Sequence, residues 1–91
     1  MASIDITHPH SMAPAEARLG MQELADKLVE RFGVQCDWDG DILNFTRAGI
    51  DGHMALLADQ IHVTAELGFM LGAFKDAIEA EIRRVLDRRF G

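Results

Sequence analysis

Apolar and polar residues alternate from Val34 to Phe45, and Asp39-Gly40 breaks the alternation at its centre. The pattern predicts a β-hairpin. Asp-Gly suits a two-residue turn in which both central residues take positive φ. With that turn Trp38 faces Asp41, Cys36 faces Leu43 and Val34 faces Phe45. The last two pairs are apolar and share a face, whereas Gln35, Asp37, Ile42 and Asn44 fall on the other. One face of the sheet is therefore expected to be core and the other mostly wet.

The same reading extends along the chain. Ser3 to His8 alternates, with Ile4 and Ile6 on one side, and predicts a short strand that the segment His8-Pro9-His10-Ser11 ends. Pro14 suits the first turn of a helix, Glu16 complements its dipole, and Gly33 stops it after Phe32. Met21, Leu24, Ala25, Leu28 and Phe32 make its inward stripe. After the hairpin, the second strand is expected to end near Ala48, with Gly49-Ile50-Asp51-Gly52 as the next turn. A strand over residues 53–58 has either Met54 and Leu56 inward or Ala55 and Leu57. Ile61, Val63, Ala65 and Leu67 alternate with His62, Thr64 and Glu66 in a half-buried strand. Past Gly68, a helix over about 70–90 has the stripe Leu71, Phe74, Ile78, Ile82, Val85 and Leu86.

The element order β-α-β-β-β-β-α points to the α+β class: an antiparallel meander sheet with two helices on one face, a helix-grip-like miniature. The last helix is expected to lie across the concave face, and the first to shield one flank. At 91 residues the chain fits a single α+β domain over 1–91. A domain of that size buries only about 60–65% of its unfolded surface.

Composition narrows the partners. Nine Lys and Arg against fifteen Asp and Glu leave a net charge of −6, which argues against nucleic acid. No apolar run approaches the ~20 residues of a membrane span. The first residues lack the charged and apolar regions of a signal peptide, and the one cysteine suits a reducing cytoplasm.

Several motifs occur in a telling order: His10-Ser11 ahead of a helix carrying Ala17-Arg18, then Trp38-Asp39-Gly40-Asp41 and Gly49-Ile50-Asp51-Gly52. Glu66-Leu67-Gly68-Phe69 and Ile78-Glu79-Ala80-Glu81-Ile82 follow. In order and spacing the chain resembles the polyhydroxyalkanoic acid system family, small bacterial proteins encoded beside genes for polyhydroxyalkanoate storage. The family usually shows Leu-Gly-Phe-Leu-Leu where this chain has Leu67-Gly68-Phe69-Met70-Leu71. The resemblance implies a setting, polyester granule metabolism, and carries over no catalytic residues.

The candidate chemistry is sparse. His8 and His10 are spaced to face one way on an extended segment, but zinc needs three or four protein ligands. His10 is better read as a structural corner, bonding backbone with Ser11 as helix cap. His53 and His62 lie on adjacent strands and invite pairing. Cys36 is expected to point into the core as an inert small hydrophobe. Asp37, Asp39 and Asp41 imitate the start of an EF-hand loop but lack its glycine and glutamate, so they are read as hairpin residues. Both glycines of Gly49-Ile50-Asp51-Gly52 are read as turn residues. Phe69, Met70 and Leu71 cluster at the start of the last helix. Ordinary packing would wedge all three under the first helix; if exposed, they form a candidate interaction surface.

No nucleophile elbow, Ser-His-Asp arrangement or metal set is visible, so no catalytic residue, cofactor or metal is expected. The expectation is a non-enzymatic cytoplasmic protein linked to polyhydroxyalkanoate storage, acting by apolar interaction with the granule surface or granule proteins. The alternative is a binding module for a small hydrophobic ligand, hydroxyacyl or fatty acyl. A homodimer through an unpaired sheet edge or the apolar residues 69–71 fits either.

Overall fold

The computed structural model describes residues 2–91. Its elements are β1 (Ala2–Pro9), α1 (Pro14–Phe32), β2 (Gln35–Asp39), β3 (Ile42–Arg47), β4 (Ile50–Leu56), β5 (Gln60–Leu67) and α2 (Lys75–Phe90). A 3₁₀ segment, Phe69–Phe74, leads into α2. The five strands form one antiparallel sheet in the order β1-β5-β4-β3-β2. The α+β class and the order β-α-β-β-β-β-α are as the sequence implies.

Strand alternation sets the core. Ile4 and Ile6 of β1 lie opposite Ala65 and Val63 of β5, and Met54 of β4 lies between Val63 and Leu43. These residues, with Phe45, Ile50, Ile61 and Leu67, point to one face and are buried. Met21, Leu24, Ala25 and Leu28 of α1 and Ile78, Ile82, Val85 and Leu86 of α2 cover them in one continuous cluster. Of the two orientations open to residues 53–58, the one with Met54 inward is realised; Leu56 is half-buried and Leu57 exposed.

The helices divide the sheet between them. α2 packs most closely over β1, and α1 over β2 and β4. They run antiparallel. The Phe90 ring rests on Gly20, where a Cβ would lie 2.5 Å from it. Arg88 Nη2 donates to Glu23 at 2.9 Å, and Arg31 Nη1 donates to Glu81 Oε1 at 2.8 Å.

Two turns and the end of one strand differ from the sequence reading. In the β2–β3 hairpin the loop residues are Gly40 and Asp41, not Asp39 and Gly40, and Trp38 pairs with Leu43 and Cys36 with Phe45. Only Gly40 takes positive φ, at 62°, which matches the turn with glycine first rather than the doubly left-handed one. Each partner moves by two residues, so every side chain keeps its face. The β3–β4 turn is Ala48-Gly49, with Gly49 at φ 89°, and Ile50, Asp51 and Gly52 already belong to β4. Gly52 is therefore no turn residue. It sits opposite Phe45, whose ring comes within 2.2 Å of where a Cβ would stand. At the other end β1 continues through Pro9, which an outer strand tolerates because its missing N–H faces no partner.

The start of the last helix also differs. Residues 69–74 wind as 3₁₀ rather than α, as is common at helix N-termini. At three residues per turn, Leu71 and Phe74 stack on one side while Phe69 and Met70 turn elsewhere. Leu71 is half-buried and packs against the core, whereas Phe74, 50% exposed, leaves the expected stripe.

Glu81 is the one buried charged residue among those described, at 3% exposure. Burial works to raise its pKa, but hydrogen bonds and charge from Arg84 and Arg31 together hold the carboxyl below the usual 4.5. Arg84 Nε donates to Oε2 at 2.9 Å, and its Nη2 donates to the same oxygen. Both guanidiniums reach solvent, so the pairs are partly screened.

Two outcomes follow from this packing. Gly52→Ala should cost about 1–3 kcal/mol in urea unfolding by forcing the Phe45 ring to move. Pairing it with Phe45→Leu should cost less than the two changes summed. Glu81→Gln should cost about 1–2 kcal/mol at pH 7. Because the folded carboxyl titrates below its unfolded value, that gap is full above about pH 4.5 and should shrink as pH falls through the folded pKa. A gap that widens in acid would contradict the assignment.

Candidate functional site

The 3₁₀ segment follows Gly68, whose extended backbone (φ −66°, ψ 168°) carries the chain out of β5. Gly68 N–H donates to Gly49 O at 2.8 Å, which fastens the segment to the β3–β4 turn. Leu71 then packs on Gly49 so closely that a Cβ there would lie 2.8 Å from Leu71 Cδ1. With Leu71 held inward, Phe69 and Met70 project, at 87% and 84% exposure. Wedging of all three residues under α1 does not occur.

Beside this projection lies an amphipathic cleft of about 330 Å³. Phe32, Ile50, Leu71, Phe74 and Ile78 form its apolar lining, and Arg31 and Arg47 stand at its rim. Arg47 Nη1 donates to Phe32 O at 2.7 Å. It thereby satisfies a free carbonyl at the C-terminus of α1, where Gly33 turns left-handed at φ 69°. Arg31 is held by Glu81. A guanidinium has five N–H donors, so each arginine keeps donors beyond these bonds.

The other candidates lie elsewhere. The His10 ring ties the strand-to-helix corner to the β4–β5 turn: Nε2 donates to Leu57 O at 2.9 Å and Nδ1 accepts from Met12 N–H at 3.1 Å. This arrangement uses the neutral ring with its proton on Nε2. Ser11 does not cap α1, because the N-cap is Ala13 and no side chain bonds there. Pro14 follows at the first helical turn, where its missing N–H costs nothing. His8 and His10 both lie near the Phe90 ring, with centroids 6.4 and 5.9 Å away.

His53 and His62 do not pair. In the β4–β5 register His53 faces Thr64 and His62 faces Ala55. His53 meets Asn44 Oδ1 at 2.6 Å and His62 meets Asp5 Oδ1 at 2.7 Å. These groups line the open face of the sheet, where Ser3, Asp5, Asp51, His53, Thr64 and Glu66 border a shallow depression of about 450 Å³. Asp37 and Asp39 lie on the same open face, and Asp41 in the hairpin loop meets Arg18 at 3.2 Å. No group of three or more His, Cys, Asp or Glu able to hold a metal occurs among the described residues.

Cys36 is half-buried, its Sγ 4.0 Å from Ala25 O. Burial, reinforced by the negative charges of Asp26 and Asp37, pushes its thiol above the usual 9.0. Such a thiol is a poor nucleophile at neutral pH.

Sequence reasoning missed the arginines. Arg47 is the only Lys or Arg between Gly33 and Phe74, a signal that was available. Arg18 was also missed. It lies 4.0 Å from the centre of the Trp38 ring and bonds Gly40 O at 3.0 Å, while Trp38 Nε1 donates to Gln22 at 2.9 Å. These contacts clamp the hairpin tip to α1. Nothing local in the sequence pairs positions so far apart.

The architecture is that of a small α+β sandwich with one open sheet face and an apolar turn projecting beside an arginine-rimmed cleft. The chain belongs to the family described as Putative polyhydroxyalkanoic acid system protein, whose model matches residues 4–90. No curated protein matches the chain significantly.

Cys36 should react with a thiol reagent at pH 8 more slowly in the folded protein than in urea. Equal rates, read from the absorbance of the released chromophore, would place the thiol in open solvent.

Proposed function

We propose that this protein is a non-enzymatic component of polyhydroxyalkanoate storage that adsorbs to the granule surface through Phe69 and Met70. One observation carries the reading. Two large apolar side chains, Phe69 and Met70, are the most exposed hydrophobic residues described, and they sit side by side on a turn anchored at both ends. Such exposure is unfavourable in water and marks an interaction site. The family supplies the setting, polyester storage.

Magnitudes set the mode of binding. Burying a Phe and a Met side chain gains about 3–6 kcal/mol at most. A millimolar dissociation constant already corresponds to about 4 kcal/mol. Two residues therefore give weak, reversible adsorption, and half-exposed Phe74 beside them adds to it. No helix among the described residues is long and apolar enough to cross a membrane. Action on storage granules implies the bacterial cytoplasm as the working compartment.

The experiment is co-sedimentation with purified polyhydroxyalkanoate granules or polyester beads. The native chain should distribute to the beads. Phe69→Ser with Met70→Ser should abolish most of that adsorption while leaving stability within about 0.5 kcal/mol, because both residues are exposed. Undiminished adsorption by the double variant would overturn the proposal.

A further inference from the structure

We infer that the cleft between the C-terminus of α1, the β3–β4 turn and the 3₁₀ segment binds the anion of a medium-chain carboxylic acid. For the natural identity of that acid, a hydroxyalkanoate of the storage polyester, the inference rests on the proposed function.

Three observations converge. The lining is apolar over Phe32, Ile50, Leu71, Phe74 and Ile78, which suits an alkyl chain. The volume of about 330 Å³ lies at the low end of the ~300–1,000 Å³ usual for small-molecule sites. At roughly 30 Å³ per water-sized unit it admits on the order of ten such units. An acyl chain of about eight carbons therefore fits, and a bulky cofactor does not.

The rim supplies the charge. Arg47 is fixed by its bond to Phe32 O and has donors left for a carboxylate. Arg31, on α1, lines the same cleft. Its partner Glu81 is already matched by Arg84, so the three groups together keep one positive charge. With Arg47 the rim is cationic on a chain whose net charge is −6. The open sheet face, by contrast, carries Asp5, Asp37, Asp39, Asp51 and Glu66 and no Lys or Arg. A monoanionic amphiphile is thus directed to this end of the molecule, its head on the guanidiniums and its tail on Leu71, Ile50 and Ile78.

The test is titration of the native chain with octanoate, followed by amide chemical shifts, with octanol and octylammonium as matched tails. Octanoate should bind saturably and perturb Ile50, Leu71 and Ile78, while octanol binds more weakly and octylammonium leaves those amides unmoved. Arg47→Gln retains an N–H for Phe32 O but loses the charge, and should raise the octanoate dissociation constant about tenfold. 3-Hydroxyoctanoate should bind at least as tightly as octanoate if the natural ligand is a hydroxy acid. Binding of octanol or octylammonium equal to that of octanoate, or shifts confined to other residues, would overturn the inference even if the variant failed to fold. No granule is present in this measurement, so its failure leaves the adsorption result standing, and failed adsorption leaves this result intact.

Discussion

The large apolar side chains buried in the sheet point to one face, so both helices must lie on that face and against each other. The rest of the structure follows from that crowding. Two antiparallel helices over five strands need close approaches, and the chain provides them by removing side chains at the points of contact. Gly20 admits the Phe90 ring, and Gly52 admits the Phe45 ring. Where the helices meet at their other end, a buried carboxylate joins them: Glu81 takes Arg31 from α1 and Arg84 from α2. Its burial is tolerable only because both oxygens are matched.

One-sided burial also explains how charge is distributed. Eight of the nine cations lie on the helices, and the exception, Arg47, ends β3 and reaches α1. The wet face of the sheet is left acidic. Arg31, at the C-terminus of α1, and Arg47 stand where the amphipathic cleft opens, whereas Arg88 and Arg89, at the C-terminus of α2, lie at the opposite end beside Glu23.

The exposed apolar pair Phe69 and Met70 arises from a failure of helical periodicity. Read at 3.6 residues per turn, Leu71, Phe74 and Ile78 form one buried stripe. The 3₁₀ winding breaks that stripe, draws Leu71 onto Gly49 and turns Phe69 and Met70 outward. The exposed pair thus stands on a rigid footing, because Gly68 is hydrogen-bonded to Gly49 and Leu71 is packed against it.

Element order, the α+β class and the buried faces of the strands were legible in the sequence because alternation and helical spacing are local properties of the chain. The hairpin shows the limit. Val34, Cys36, Leu43 and Phe45 share a face as read, yet the pairing is offset by two residues, since alternation distinguishes faces but not even shifts along a strand. Tertiary structure decided the rest. It put β1 beside β5 rather than β2, made Gly52 a seat for Phe45, chose 3₁₀ over α at residues 69–74, and brought Arg31 and Arg47 to one rim. Each of these outcomes depends on which distant groups must share space, and local spacing carries no record of that.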